Sequence, residues 1–255
     1  MSSSASSASK AGPGLFPVTR HSVVLAARSS EPVERAQALE AIVVVYWKPV
    51  YKHVRRKWGV SAEDAADFTQ EFFTRLIEKE FLSSYDPVKG RLRTFLRTCV
   101  DRLFMNQSRE THRIKRGAGI QHVSWDFAEA EMELGRTAHT ETPEEVFDKE
   151  WIRSLFVLAV QRLRERCDLA GKSLHFRLFE RYDLEDAGDR PTYEDLAAES
   201  ELAVTDVTNY LAFARREFRR AALDQLREMT GSEAEFRREA RLLLGVRDGV
   251  RNKDI

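Results

Sequence analysis

Cysteine is nearly absent: 255 residues contain two, Cys99 and Cys167, far apart and each inside a helical pattern. An even count alone does not make a disulfide, and so few cysteines suit a reduced protein. Six histidines (His21, His53, His112, His122, His139, His175) form no HExxH or HxxxH pair, and the cysteines form no CxxC, which argues against a metal site. There is no Walker loop and no G-x-S-x-G element. Gly117-Ala118-Gly119 is half of a dinucleotide fingerprint, lacks the third glycine and follows a helix, so it reads as a breaker. Long apolar runs are missing too: the longest, Ala41–Trp47, is far too short to cross a bilayer. The opening MSSSASSASKAGPG has no apolar core, so it is not a secretory signal; residues 1–30 read as a disordered Ser/Gly/Pro-rich tail. No stretch alternates as a strand does and no repeat recurs. These absences leave an all-helical, cytoplasmic protein, with no cofactor, metal or catalytic constellation expected.

Net charge is also absent, at zero, but the charges are segregated. Gly90–Arg116 holds eight Arg/Lys against two acids, +6 in all. Glu63–Asp86 sums to −5 and Gln121–Glu150 to −7. Such alternation suggests separate surfaces for separate partners, or an acidic linker that stays solvated. Within the basic stretch Leu92, Phe95, Leu96, Cys99, Val100, Leu103 and Phe104 recur at helical spacing, so a helix docks on a core. Arg93, Arg97, Arg102 and Arg109 fall on its other side, where guanidinium groups facing solvent would suit a polyanion.

The rest of the chain reads as a succession of capped helices. Ser30 is placed to cap a helix with Pro32 in its first turn and Val33, Ala36, Leu39, Ile42, Val43 and Tyr46 on one face; Pro49 should kink or split it before it ends at Gly59. The basic residues Lys48, Lys52, Arg55, Arg56 and Lys57 suit its C-terminal end. Ser61 with Asp64 opens the next helix, whose Ala65, Phe68, Phe72, Phe73, Leu76 and Ile77 oppose Asp67, Gln70, Glu71, Thr74 and Glu78. Tyr85–Gly90 is a turn. An acidic linker with at most a short helix occupies 117–141. Thr142-Pro143-Glu144-Glu145 opens a helix to about Arg166, and Ser173–Arg181 forms another. Thr192 with Asp195 caps a short helix, Thr205 caps a long one with Val207, Leu211, Ala214, Phe218 and Ala221 buried, and Ser232–Leu244 is a last amphipathic helix. A short helix, a tight turn and a longer helix with a basic tail make a helix-turn-helix.

In this order SAEDAADFTQEFFTRLIEK, YDPVKGRLRTFLRTCVDRLFMNQSR and TYEDLAAESELAVTDVTNYLAFARREFRR resemble an RNA polymerase sigma factor of the extracytoplasmic-function type. The resemblance implies two helical domains joined by an acidic linker: a region-two bundle over 31–116 and a region-four helix-turn-helix domain over 142–230, with a final helix and tail over 231–255. It implies that Asp67, Gln70 and Glu71 contact core RNA polymerase. It implies that Arg97, Arg102, Asn106, Arg109 and Arg113 read and open the promoter's downstream element, a task that needs a basic surface able to hold an unpaired strand. Phe95 and Phe104 lie on the buried stripe and are assigned to the core. Outward residues Thr208, Asn209, Ala212, Arg215, Arg216 and Arg219 would read the upstream element in the major groove, and Arg220 would contact phosphate. Phe213 lies off the stripe and would pack on a neighbour. Where the family carries leucine–glycine at the helix-turn-helix bend this chain has Ser200-Glu201, so the turn must form without glycine. The expected partners are core polymerase and promoter DNA, with room for an anti-sigma factor. Two other readings compete: a helix-turn-helix regulator that never meets polymerase, and a helical adaptor that binds only proteins.

Overall fold

The computed structural model describes residues 22–78, 81–109, 125–138, 140–185, 188 and 190–244, without the side chains of 108, 109 and 244. Ten α-helices and no strand occur among them. They are α1 (Val23–Ala26), α2 (Pro32–Trp58), α3 (Ala62–Glu78), α4 (Leu92–Arg109), α5 (Phe127–Gly135), α6 (Pro143–Leu169), α7 (Ser173–Phe179), α8 (Tyr193–Glu199), α9 (Val204–Glu228) and α10 (Glu233–Leu244). The far N-terminal segment, Gly117–Gly119 and the C-terminal tail beyond 244 lie outside the described residues.

The axis of the fold is α2. From Ala38 to Val54 it is buried on nearly every side, by α1, α3, α5 and α6. Val33 and Ala36, expected on its core face, are exposed instead, because the first turns extend past the elements that cover the rest. Pro49 neither splits nor ends this helix. The proline forfeits one backbone hydrogen bond, and the side chains of its neighbours Lys48, Tyr51, Lys52 and His53 are all held by other elements. Its N-cap is Glu31 rather than Ser30, with Pro32 at the first helical position. Gly59 ends it in the left-handed conformation at φ 60°. Val23–Ala26, expected in the disordered tail, form a short helix capped by Ser22, with Val23 and Val24 buried against the bundle; four helical residues are too few to show a period in sequence.

Local start signals fare well. Ser61 Oγ accepts from the Asp64 amide at 3.0 Å, and Thr142–Glu145 and Thr192–Asp195 form complete capping boxes. Thr205 is different: α9 begins at Val204 with Ala203 as its N-cap, two residues before the expected cap and with no side-chain hydrogen bond.

Hydrophobic residues gather into two main cores. The larger joins α1–α4 with Ala130 of α5, Phe147, Trp151 and Leu155 of α6, and Leu226 and Met229 at the end of α9. The smaller joins Leu163 and Cys167 of α6 with α7, α8 and the first half of α9. Helix α6 thus serves both, and the boundary expected at 142 does not coincide with a break in the core. Fully burying each large apolar side chain contributes about 1.5–3 kcal/mol, and the first half of α6 supplies three of them to the first core.

The segregated charges meet across these helices. Lys52, 2% exposed at its side chain, reaches Glu150 of α6 at 2.6 Å and Glu133 of α5 at 2.5 Å. Arg55 and Tyr51 hold Glu131, and Lys48 holds Glu129 and Glu133. His53 sits between Asp101 Oδ1 of α4 (2.9 Å) and the Pro143 carbonyl (3.1 Å). The described part of the acidic stretch 117–141 is therefore docked: α5 lies on α2 through its carboxylates and through Phe127, which meets Trp47 edge-on.

Candidate nucleic-acid interface

Three surfaces carry the residues singled out in the sequence. On α3, Phe68, Phe72 and Phe73 are buried, while Asp67, Gln70 and Glu71 on the opposite side remain half-exposed. Glu71 pairs with Arg75 one turn along the same helix at 2.5 Å, a surface pair of the kind that contributes little to stability.

On α4, Leu92, Leu96, Val100 and Leu103 are buried. Phe104 stacks on Trp58, with ring centroids 3.9 Å apart and planes 11° from parallel, and meets Phe68 edge-on. Phe95 lies against Tyr85 at 5.3 Å. Both rings thus pack within the fold. Burial pushes the Cys99 thiol up to about 11, which leaves it protonated and unreactive at neutral pH. The charged side differs from expectation. Arg93 does not face solvent: it is 7% exposed, lies over the Trp151 ring and pairs with Glu239 of α10 at 3.1 Å and Asp148 of α6 at 3.3 Å. Arg97 is half-buried beside Asp148 at 3.6 Å. Acids from distant segments cover this part of the helix, which helix periodicity alone does not reveal. Arg102 and Asn106 are exposed; the Arg109 side chain and Arg113 lie outside the described residues.

On α9, Val207, Leu211 and Ala214 seat the helix on α7 and α8, and Thr208, Asn209, Ala212, Arg215, Arg216 and Arg219 are all exposed. The turn before it uses Glu201 at φ 54°, the left-handed conformation that glycine adopts without strain. Arg215 is engaged as well as exposed: Asp183 accepts two hydrogen bonds from it, at 2.9 and 3.0 Å, and its charge is stabilised chiefly by that carboxylate. Asp183 is delivered by a turn of π-helix, Glu180–Leu184, that follows α7. Nothing in the sequence signals that turn. Phe213 packs as expected for a residue off the stripe: His175 of α7 meets it edge-on at 5.2 Å and Lys172 lies 3.8 Å over its face. Lys172, just before α7, and Arg216 thus flank the half-buried Phe213 ring, adding a cation that the helix-turn-helix pattern does not include, while burial and the nearby Lys172 push the His175 pKa down and favour its neutral form.

Among the described residues no group of three or more His, Cys, Asp or Glu could hold a metal ion, and no helix is long and apolar enough to cross a membrane. No family model, curated protein or solved structure matches the chain.

Proposed function

We propose that this chain is a sigma factor, a protein that docks on core RNA polymerase, recognises promoter DNA and helps to open it, without covalent chemistry of its own. The observation that carries the reading is the half-exposed trio Asp67, Gln70 and Glu71 on a helix whose other face is packed with phenylalanine. A docking surface needs polar groups held on a rigid element, and α3 offers that. The exposed row Thr208, Asn209, Ala212, Arg216 and Arg219 supports a second contact, with the major groove: arginine reads guanine, asparagine reads adenine and alanine meets a thymine methyl. Arg102 and Asn106 support a third, with the downstream element, where Arg97 would join once freed of Asp148. On this reading the region-two-like unit includes the start of α6, and the acidic stretch serves partly as its clasp.

The test is replacement of Asp67 and Glu71 by alanine. Both are at the surface, so stability should stay within about 0.5 kcal/mol, while co-migration with core polymerase should be lost. Binding equal to that of the unmodified chain would remove the sigma assignment and favour a regulator confined to the helix-turn-helix.

A further inference from the structure

The last helix, α10, belongs to neither the helix-turn-helix nor the polymerase-facing trio, yet two of its carboxylates are among the most buried charges of the protein. Glu235 and Glu239 are each 3% exposed. Glu235 accepts from the Leu92 amide at the start of α4 (2.8 Å), from the Tyr85 hydroxyl (3.0 Å) and from the Gly231 amide (2.8 Å). Glu239 lies 3.1 Å from Arg91 and 3.1 Å from Arg93. The corner between α9 and α10 presses on the turn before α4: a Cβ on Gly231 would come within 2.9 Å of Pro87 and 3.0 Å of Tyr85.

We propose that α10 is an autoinhibitory clasp on the start of the basic helix, masking Arg91 and, together with Asp148 and Trp151 of α6, Arg93 from single-stranded DNA until it is displaced. The inference rests on the reading of α4 as a DNA surface. Carboxylates of α10 occupy the Leu92 backbone amide and the Arg91 and Arg93 guanidinium groups, the donors that a phosphate would engage at a helix start flanked by arginine. Glu239 is the less satisfied of the two carboxylates. Glu239 Oε1 has no hydrogen bond of good geometry, and burial pushes the carboxyl up despite the two guanidinium groups. Buried ion pairs return little net stability once desolvation is counted. The apolar side of α10 adds Phe236, Ala240 and Leu243, all only partly buried.

Two variants test this, because removing acids could strengthen DNA binding by charge alone. Glu235→Ala with Glu239→Ala removes the carboxylates; Gly231→Val forces the corner off Pro87 and Tyr85 with no change of charge. Each full-length variant is compared with the unmodified chain by amide exchange at the start of α4 and by anisotropy titration of a labelled single-stranded oligonucleotide. The clasp requires faster exchange at Leu92 and roughly tenfold tighter oligonucleotide binding in both variants, a coupling in the usual allosteric range. Faster exchange in Gly231→Val with unchanged binding overturns it, as does unchanged exchange in both. No oligonucleotide binding by any form removes the α4 surface itself, whereas failure to bind core polymerase removes only the sigma reading.

Discussion

Replacing Lys52 with methionine would leave Glu150 as a buried carboxylate without its main partner. The ammonium is 2% exposed and the carboxylate 5%, so neither has water to fall back on. Breaking one side of such a pair costs about 3–5 kcal/mol. Arg153 lies 3.4 Å from Glu150 but is 57% exposed, so it can compensate only in part, and the lower end of the range, about 3 kcal/mol, is expected. Glu150→Leu in the same chain should recover most of that loss, since an apolar pair of similar volume suits the site. Glu133 would then keep Lys48 at 3.1 Å. Urea unfolding followed by tryptophan fluorescence is the assay: Trp47 and Trp151 are both buried in the core that this pair helps to close. The single variant should lower the midpoint by about 1 M or more. A pH series adds a sign. Burial alone would raise the Glu133 carboxyl, but hydrogen bonds from Lys52 and Lys48 outweigh it and hold it below the ordinary range. A depressed carboxyl contributes stability at neutral pH that is lost as pH falls through its folded value. The unmodified chain should therefore lose more stability on acidification than the methionine variant. A single-variant loss below about 1 kcal/mol, or a double variant no better than the single, would refute the view that this pair pins α6 to α2.

Glu201→Gly should stabilise the protein by about 0.5–1 kcal/mol, because relief of roughly 1–2 kcal/mol of left-handed strain exceeds the added freedom of the unfolded chain; urea unfolding followed by helical ellipticity checks it, and a loss of stability would contradict the strained turn. Arg216→Ala should weaken upstream-element recognition by about 1–3 kcal/mol in a sequence-dependent way; a loss equal on all duplexes, measured by competition titration, would demote Arg216 to a phosphate contact.

Much of the helical layout was legible because its signals are local. The capping boxes at Thr142 and Thr192, the Ser61 cap and the Gly59 stop each depend on four or five neighbouring residues. The faces of α3 and α9 were legible as well, since period and burial agree there except at Ile77 and Phe218, which are only partly buried. The α4 surface was read correctly on its apolar side and incompletely on its charged side. Arg93 has the position of a solvent-facing arginine on the helical wheel, and only the arrival of Asp148 and Glu239 from far along the chain buries it.

What the sequence determined by itself was therefore most of the helices, the capped starts at Ser61, Thr142 and Thr192 and most of the residues turned inward, all fixed by hydrogen bonding and periodicity within a few turns; α1 and the caps of α2 and α9 were not among them. What the tertiary structure decided was the use of the charges. The −7 stretch of Gln121–Glu150 could have been solvated linker; instead it contributes Glu131, Glu133, Asp148 and Glu150 to Arg55, Lys48, Lys52, Arg93 and Arg97. Which opposite charges meet depends on which helices the apolar faces bring together, and that is a property of the packed chain rather than of any window within it.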